Sequence, residues 1–325
     1  MANEAGQDGA GLIELVVRRR EDVADGIIAL ELARPGGGSL PGFTAGSHVD
    51  VHVTPGLVRQ YSLCSDPAET GHYRLGILLE PESRGGSAGI HAQAKVGQTI
   101  KVSAPRNNFV LAEDAPRSVL LAGGIGVTPL ISMAWRLHRL GRAFEMHYCT
   151  RSAARTAFAA ELAATPFAAN LHIHHDDGPA AQKFDPATLP PAAEGVHLYV
   201  CGPGGFMEWV IGAATALGYP DERVHREYFN AEVDTSGAGF TVEARRSGKT
   251  VLVPEGTSIA EALAQVGIDI PLSCEQGVCG TCLVDVISGI PDHRDMYQTD
   301  GEKASNKQIT PCCSRSLTPV LVLDV

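Results

Sequence analysis

The sequence predicts a multidomain chain of the α/β plus β class: an antiparallel β-barrel, a parallel-sheet α/β domain and a small cysteine-bearing domain. Residues 12–113 are rich in β-branched residues and Gly/Pro turns and lack helical periodicity, which is typical of a barrel. The middle of the chain alternates apolar strands with helical patterns, which indicates βαβ units on a parallel sheet. Four cysteines stand close together near the C-terminus.

Individual elements follow from local patterns. In the barrel stretch we predict strands over 12–17, 48–53 and 74–79 and a helix around 88–94. In the middle stretch we predict a helix over 128–140, with Thr128 as its N-cap and Gly141 directly after its C-terminal end. The other predicted elements there are strands over 119–121, 144–149, 171–175 and 196–201, a helix over 157–164 and a helix from near Gly205.

The third stretch follows a small, polar segment, 231–238, that we interpret as a linker. Beyond it, 240–244 and 250–253 predict a hairpin, and Ser258 with Glu261 forms a capping box that starts a short helix. The predicted domains are therefore 1–115, 116–230 and 239–325.

Composition excludes several classes of protein. The 325 residues carry a net charge of −11, which argues against nucleic-acid binding because a phosphate backbone attracts a basic face. We find no basic, apolar leader at the N-terminus and no uncharged run long enough to span a bilayer. Eight cysteines in such a chain are expected to be metal ligands or free thiols, and we predict a cytoplasmic location.

Cys274, Cys279 and Cys282 read C-x4-C-x2-C, and Cys312 follows after 29 residues. This is the spacing with which plant-type ferredoxins hold a [2Fe–2S] cluster, two thiolates to each iron. A zinc site usually shows two C-x2-C pairs, and only one is present here. Cys313 stands beside Cys312, and the spacing by itself does not decide between them.

Two glycine turns mark the parallel sheet. Gly124 and Gly126 follow a predicted strand and open a helix, and Gly202 with Pro203 occupies the matching place at the end of a later strand. Glycines there let the backbone approach a pyrophosphate at a helix N-terminus. One such turn alone is no more than a tight turn, but two at one sheet edge predict a dinucleotide crevice.

The barrel offers a second set of candidates. Arg59 and Tyr61 share one face of a predicted strand, and Ser62 follows. Arginine suits a phosphate and a tyrosine ring suits stacking on a flat heterocycle. The run 84–87, Arg-Gly-Gly-Ser, provides another backbone nest for an anion.

These motifs, in this order, resemble the phthalate dioxygenase reductase family, to which vanillate O-demethylase reductases and other class IA Rieske-oxygenase reductases belong. The motifs are Arg59-x-Tyr61-Ser62, Gly85-Gly86-Ser87, Gly124-x-Gly126-x-Thr128-Pro129, Cys201-Gly202-Pro203 and His225-x-Glu227-x-Phe229, followed by the cysteine quartet. The resemblance implies a flavin-binding β-barrel, a ferredoxin reductase-like nucleotide-binding domain and a C-terminal plant-type ferredoxin of β-grasp fold.

The resemblance also assigns roles. Arg59, Tyr61 and Ser62 would hold the flavin, together with the further residues Gly76, Ile77, Leu78, Gly85, Gly86, Ser87, Thr128 and Phe229. The pyridine nucleotide would contact Gly124, Gly126, Thr150, Arg151, Ser152, Gly202 and Pro203. At the reacting end would lie Ser62, Thr128, Cys201 and Glu227, the last with a surface ion pair as its alternative role. The family pattern Cys-x-Ser-Arg selects Cys312 as the fourth cluster ligand.

The implied cofactors are FMN, with FAD as the alternative, a [2Fe–2S] cluster and NADH. Arg151 and Arg155 favour the 2′-phosphate of NADPH on electrostatic grounds, whereas Asp176 and Asp177 oppose it, and the resemblance favours NADH.

The implied function is a reductase that takes hydride from NADH and passes single electrons to the Rieske centre of a separate aromatic oxygenase. The flavin links two-electron and one-electron chemistry. We expect a monomer that docks its acceptor around residues 277–281 and Arg315. Two alternatives are the same architecture serving a cytochrome P450 or another acceptor, and a non-catalytic redox sensor.

Overall fold

The computed structural model describes residues 11–54, 56–81, 85–192, 195–230 and 233–325. Arg84 and the start of the predicted linker, Ala231 and Glu232, lie outside the described residues, as does the N-terminal stretch 1–10. The chain divides into two compact units, Met1–Phe229 and Asn230–Val325.

The first half of the first unit is an antiparallel barrel. Its strands, in chain order, are β1 Ile13–Ala24, β2 Ile27–Ala33, β3 His48–Thr54, β4 Leu57–Ser62, β5 Tyr73–Leu78 and β6 Thr99–Val102. They pair in the order β4-β3-β6-β1-β2-β5. A bridge between Leu63 and Leu75 joins the two edge strands, so the sheet closes on itself. Helix α1, Gly86–Gln93, covers one end of the barrel through the buried Ile90.

The second half of the first unit is a parallel sheet. Its strands are β7 Arg117–Gly123, β8 Ala143–Thr150, β9 Leu171–His175, β10 Val196–Cys201 and β11 Val224–Glu227. They lie in the order β11-β10-β7-β8-β9 with every pair parallel. The strands β7 and β10 are neighbours at the centre of the sheet. Because they are parallel, the polypeptide leaves both of them at the same edge of the sheet.

Among the described residues, the α-helices that accompany this sheet are α2 Val127–Arg139, α3 Ala159–Ala163 and α4 Gly204–Ala216. The predicted cap at Thr128 is wrong, because a 3-10 turn over Gly124–Gly126 starts the winding earlier and Thr128 lies inside the helix. Helix α3 starts two residues later than predicted, since Phe158 has a φ of 61°, in the left-handed region that interrupts a helix.

The second unit is a small mixed sheet. Its strands are β12 Phe240–Ala244, β13 Lys249–Val253, β14 Val284–Ser288, β15 Pro291–Asp292, β16 Gln308–Ile309, β17 Arg315–Ser316 and β18 Val320–Leu323. The main sheet has the order β13-β12-β18-β14-β16, and β15 pairs with β17. Helix α5, Ile259–Gln265, begins at the predicted Ser258–Glu261 capping box, and α6 spans Asp300–Ser305. Within the part of the chain that the structure describes, no helix has the length and apolar character needed to cross a membrane.

Candidate functional site

The two glycine turns meet backbone to backbone at the centre of the parallel sheet. Ala122 on β7 lies opposite Cys201 on β10. A Cβ atom added to Gly126 would lie 2.2 Å from the carbonyl oxygen of Cys201, and one added to Gly202 would lie 2.9 Å from the Cα of Gly123. No side chain fits at either position, so glycine is required for this junction.

The junction leaves the start of helix α2 open for an anion. Gly124 has a φ of 52° and no heavy atom within 4 Å of an added Cβ, so this turn presents backbone rather than side chain. The N–H of Val127, the first residue of α2, donates to the carbonyls of Gly124 and Ile125 in the 3-10 turn, so the N–H groups left for an anion are those at the start of this turn. The helix dipole adds positive potential there. This arrangement fits a pyrophosphate, as the sequence predicts.

Ser62, Cys201 and Glu227 converge at the meeting point of barrel and parallel sheet. The hydroxyl of Ser62 donates to Oε2 of Glu227 at 3.5 Å, and Glu227 on β11 lies opposite Cys201 on β10. Cys201 is fully buried, and burial with the nearby carboxylate raises the pKa of its thiol well above the ordinary value. Cys201 is therefore a neutral thiol and not a nucleophile.

Glu227 has an unusual protonation equilibrium for a carboxyl group. Burial raises its pKa to about 8, and the hydrogen bond from Ser62 opposes this shift. A carboxyl group with this pKa is mostly protonated at neutral pH and can exchange a proton with its surroundings. The surface ion pair considered as the alternative role is absent among the described residues, since no ion pair of Glu227 is found there.

Gly76 of the barrel packs directly on the nucleotide-binding half. A Cβ there would lie 2.7 Å from Cγ2 of Thr128 and 2.9 Å from the ring of Phe158. The hydroxyl of Thr128 donates to the carbonyl of Ile125, which fixes its side chain at this junction. Phe158 is a residue that sequence reasoning missed, because its contact comes from a strand about 80 residues earlier and no local pattern marks it.

The predicted flavin residues fall into two groups. Arg59 lies across Gly86, since an added Cβ at Gly86 would approach Cγ of Arg59 to 2.6 Å. Gly85 has a φ of 88° and starts helix α1, and Ser87 Oγ accepts the N–H of Glu80. An arginine side chain, a left-handed glycine and a helix start therefore lie together, and this combination is suited to a phosphate.

The remaining flavin candidates lie along β4 and β5 or beside the parallel sheet. Tyr61 is half-buried, and burial raises the pKa of its phenol, so the ring is neutral and suited to stacking. Leu78 and Phe229 pack at the junction with the parallel sheet. Ile77 was expected to contact the flavin, but its side chain lies in the barrel core, so only its backbone can face a ligand.

The predicted adenosine end lies where β8 leaves the sheet. Thr150 is buried, and its hydroxyl is 2.7 Å from that of Thr156, which in turn is 3.1 Å from Nε2 of His175. Thr150 therefore holds the loop rather than offering its side chain to a ligand. Arg151 is exposed and Ser152 half-buried, so these two are accessible.

In the second unit, the four cysteine thiols lie in two pairs. Cys282 Sγ and Cys312 Sγ are 3.4 Å apart, and the thiols of Cys274 and Cys279 interact with each other. No three metal-ligating side chains among the described residues are grouped closely enough for a single ion. Two pairs of thiols suit two irons better than one zinc ion.

The loop around the cysteines supplies N–H donors. The amide of Gln276 donates to Cys274 Sγ and that of Thr281 to Cys279 Sγ, both at 3.4 Å. Glu275, Gly277 and Gly280 all have φ between 57° and 72°, which curls the loop around the sulfurs. Such hydrogen bonds tune the potential of an iron–sulfur cluster.

Cys313 lies beside one of these pairs, and its thiol forms a hydrogen bond with that of Cys312. Its Sγ lies 3.4 Å from the hydroxyl of Thr310 and would be 2.4 Å from a Cβ on Gly277, so it packs beneath the loop.

Arg315 was expected on a docking surface, and this is wrong. The side chain is 2% exposed, donates to the carbonyls of Thr257, Ala238 and Pro254, and lies 5.1 Å from the ring centroid of Phe240.

Comparisons with known proteins agree with both units. Residues 242–317 match the model of the 2Fe-2S iron-sulfur cluster binding domain, and residues 98–224 match that of the dimethylamine monooxygenase subunit DmmA-like N-terminal domain. The vanillate O-demethylase oxidoreductase of Pseudomonas sp. (strain HR199 / DSM 7063) is 48% identical over 97% of this chain and 100% of its own length. Its counterpart in Acinetobacter baylyi is 41% identical over 96% of this chain and 99% of its own length.

Solved structures give the same result. The structure of phthalate dioxygenase reductase is 36% identical and superposes with a TM-score of 0.74, over 99% of this chain and 100% of that one. An intact type IV self-sufficient cytochrome P450 monooxygenase superposes with a TM-score of 0.84 at 36% identity, and this chain spans 43% of its length. The predicted fold class, the flavin and pyridine-nucleotide cofactors and the [2Fe–2S] domain are thereby confirmed.

In this family the barrel binds FMN, the parallel sheet binds NADH and the C-terminal ferredoxin holds the [2Fe–2S] cluster. The glycine junction of this chain fits NADH, and its thiol pairs fit the cluster. The chain belongs to the phthalate dioxygenase reductase family and is an oxidoreductase, the reductase component of an oxygenase system.

Proposed function

We propose that this reductase draws electron pairs from NADH and delivers them singly to the Rieske centre of a separate oxygenase that acts on an aromatic acid or aryl ether. The bound flavin supplies the conversion between two-electron and one-electron transfer. The observation that carries the proposal is the convergence of Ser62, Cys201 and Glu227 beside the paired glycine turns, together with thiols paired two by two in the second unit.

The chain's own residues contribute binding and orientation. We assign the phosphate of FMN to Arg59 with the cradle Gly85, Gly86 and Ser87, and its ring system to Tyr61, Ser62, Gly76, the backbone of Ile77, Leu78, Thr128 and Phe229. We assign NADH to Gly124, Gly126, Arg151, Ser152, Gly202 and Pro203, with Thr150 supporting the loop. The cluster ligands are Cys274, Cys279, Cys282 and Cys312.

The domain division that goes with this function is 1–115 for the flavin, 116–230 for NADH and 239–325 for the cluster, joined by the linker 231–238. We propose a monomer, and a cytoplasmic location because none of the eight cysteines forms a disulfide.

The acceptor is tested by reconstitution. The purified reductase is mixed with NADH and, in turn, with a vanillate-type Rieske oxygenase plus its aryl ether, or with a cytochrome P450. We expect coupled NADH oxidation and demethylation with the Rieske oxygenase. A reductase that turned over only with the P450 would contradict the proposed acceptor, which the match to a self-sufficient P450 makes the second candidate.

Replacement of Arg59 by alanine should release the flavin. The guanidinium is the cation that lies across Gly86, and a charge-assisted contact to a phosphate is stronger than a neutral one. The bound flavin per chain is measured after gel filtration, with Arg106→Ala as the control, because Arg106 pairs with Asp50 on the barrel instead. Stoichiometric flavin in Arg59→Ala would contradict the phosphate role.

Glu227 should give the reaction a pH dependence. Because its pKa is about 8, Glu227 is neutral below that pH and negatively charged above it. A negative charge at the reacting end opposes the arrival of the negatively charged hydride. We therefore expect NADH-driven dye reduction to slow as the pH rises through about 8. The pH–rate curve of Glu227→Gln should lack this decrease near pH 8. In Ser62→Ala the decrease should move to higher pH, because this variant lacks the hydrogen bond that favours the carboxylate. An unchanged profile in Glu227→Gln would exclude this role.

A further inference from the structure

Residues 233–238, the described part of the predicted linker, are held by the rest of the second unit, and we call them the anchored segment. The Nη1 group of Arg294 donates to the carbonyl oxygens of Asp234 and Ser236, at 2.6 and 2.9 Å. The Nε and Nη2 groups of the same guanidinium donate to Oδ2 of Asp292, at 2.8 and 2.6 Å, which fixes its orientation. Hydrogen bonds from a charged donor are strong, so Arg294 holds the backbone of this segment in place.

Two further contacts hold the anchored segment. The N–H of Gly256 donates to the carbonyl of Thr235 at 3.1 Å, and Nη2 of Arg315 donates to that of Ala238 at 3.2 Å. A flexible linker would leave these carbonyl groups to water. The anchored segment therefore belongs structurally to the second unit and does not act as a flexible joint.

The anchored segment is also attached to the cysteine-bearing turn. Val233 packs against the group of buried cysteines that includes Cys282 and Cys312. The N–H of Arg294 donates to Oγ of Ser314, at 3.2 Å, shortly after Cys312 along the chain. Direct contacts thus link the segment to two of the proposed cluster ligands.

The connection between the two units is consequently short. Phe229 packs with the core of the first unit, and we assign it to the flavin ring. Only residues 230–232 separate it from Val233 along the chain. A fully extended chain of this length reaches no more than about 14 Å. The polypeptide therefore joins a residue assigned to the flavin to a residue on the proposed cluster ligands by a short path.

The length of this connection affects the encounter of the two cofactors, because electron transfer slows steeply as the separation of donor and acceptor grows. For two sites joined by a flexible chain, the effective concentration of one at the other falls roughly as the −3/2 power of the chain length. A connection of about eight residues instead of three would lower it roughly fourfold. Release of Asp234 alone would extend the connection to 230–234 and lower it roughly twofold.

We propose that Arg294 is a positioning residue for electron transfer from the flavin to the cluster: it holds the anchored segment on the cysteine-bearing turn and so keeps the connection short. The proposal rests on the proposed assignment of Phe229 to the flavin and of Cys282 and Cys312 to the cluster. One electron passes from the reduced flavin, which is oxidised, to the cluster, which is reduced. Arg294 itself is neither oxidised nor reduced.

The test uses the full-length protein loaded with flavin and cluster, mixed anaerobically with NADH in a stopped-flow instrument without any acceptor protein. In Arg294→Ala we expect the cluster to be reduced roughly twofold more slowly, while flavin reduction by NADH keeps its rate. Arg246→Ala is the matched control, because Arg246 pairs with Asp324 of the same unit and should leave both rates unchanged.

A second variant tests the connection without touching Arg294. Five Gly and Ser residues inserted between Asn230 and Ala231 leave every contact of the anchored segment in place and lengthen the connection to about eight residues. We expect cluster reduction to slow roughly fourfold and flavin reduction to keep its rate. This variant decides the point even if Arg294→Ala failed to retain its cluster.

Limited proteolysis reports on the anchored segment independently of activity. Endoproteinase Asp-N cleaves before aspartate, so it produces a fragment that begins at Asp234. We expect this fragment to form several-fold faster in Arg294→Ala, but not in Arg246→Ala or in the insertion variant.

Three results would each overturn the proposal: an unchanged rate of cluster reduction in the insertion variant, equal slowing in Arg246→Ala and Arg294→Ala, or unchanged cleavage before Asp234 in Arg294→Ala. Because no acceptor protein is present, a wrong choice of acceptor would leave these rates as they are. The positioning role and the proposed acceptor therefore fail separately.

Discussion

Cys279→Ser is expected to eliminate the visible spectrum of the iron–sulfur cluster and electron delivery to the oxygenase, while NADH-driven reduction of a two-electron dye stays within about twofold. The physical reason is that the thiolates hold the irons in pairs, and a hydroxyl is a far weaker ligand for iron than a thiolate. The flavin and NADH residues belong to the other compact unit and should fold without the cluster.

The matched control is Cys313→Ser. This cysteine packs beneath the loop against Thr310 and beside Cys312, and it is not one of the four ligands that we assign, so its loss should leave the cluster spectrum unchanged. Loss of dye reduction in Cys279→Ser would show that the two units do not function separately. Loss of the cluster in Cys313→Ser would overturn the choice of Cys312 as the fourth ligand.

Gly126→Ala is expected to produce the second large effect, on NADH use. The backbone at Gly126 has φ −60° and ψ −6°, which alanine adopts without strain, so any effect comes from contact alone. The added Cβ would lie 2.2 Å from the Cys201 carbonyl and must push the two turns apart. Overpacking of this kind costs roughly 1 to 3 kcal/mol of stability. A displaced nicotinamide site costs about 100-fold in kcat/KM for NADH.

The measurement is NADH-dependent dye reduction with thermal unfolding of the same samples. Gly212→Ala is the control, because Gly212 lies within α4 with no heavy atom within 4 Å of an added Cβ and should be neutral or slightly stabilising. If Gly126→Ala retained the full kcat/KM for NADH, the paired glycine turns would not be the nucleotide site.

Short-range patterns in the sequence predicted the fold class of each part of the chain and several of its candidate site residues. The barrel and the parallel sheet follow from strand composition, and Cys274, Cys279 and Cys282 from their spacing, because these patterns depend on neighbours a few residues apart. The choice of Cys312 over Cys313 came from the family resemblance. The capping box at Ser258 and Glu261 was predicted for the same reason and is present.

Features that depend on distant contacts could not be predicted. Arg315 looked like an exposed charge, yet its carbonyl partners lie 58 to 77 residues away along the chain. Phe158 looked like part of a helix, but its left-handed backbone and its contact with Gly76 arise where the barrel meets the nucleotide-binding half. The raised pKa of Glu227 likewise follows from its burial in the folded chain, against the opposing hydrogen bond of Ser62, 165 residues earlier, and not from its local sequence.

The order of electron transfer is tested most directly by anaerobic stopped-flow mixing of the intact reductase with NADH, with flavin and cluster absorbance followed together. We predict that flavin absorbance falls first and cluster absorbance second in the unmodified protein. In Cys279→Ser the flavin phase should persist at an unchanged rate and the cluster phase should be absent. Cluster reduction that precedes or proceeds without flavin reduction would contradict the account.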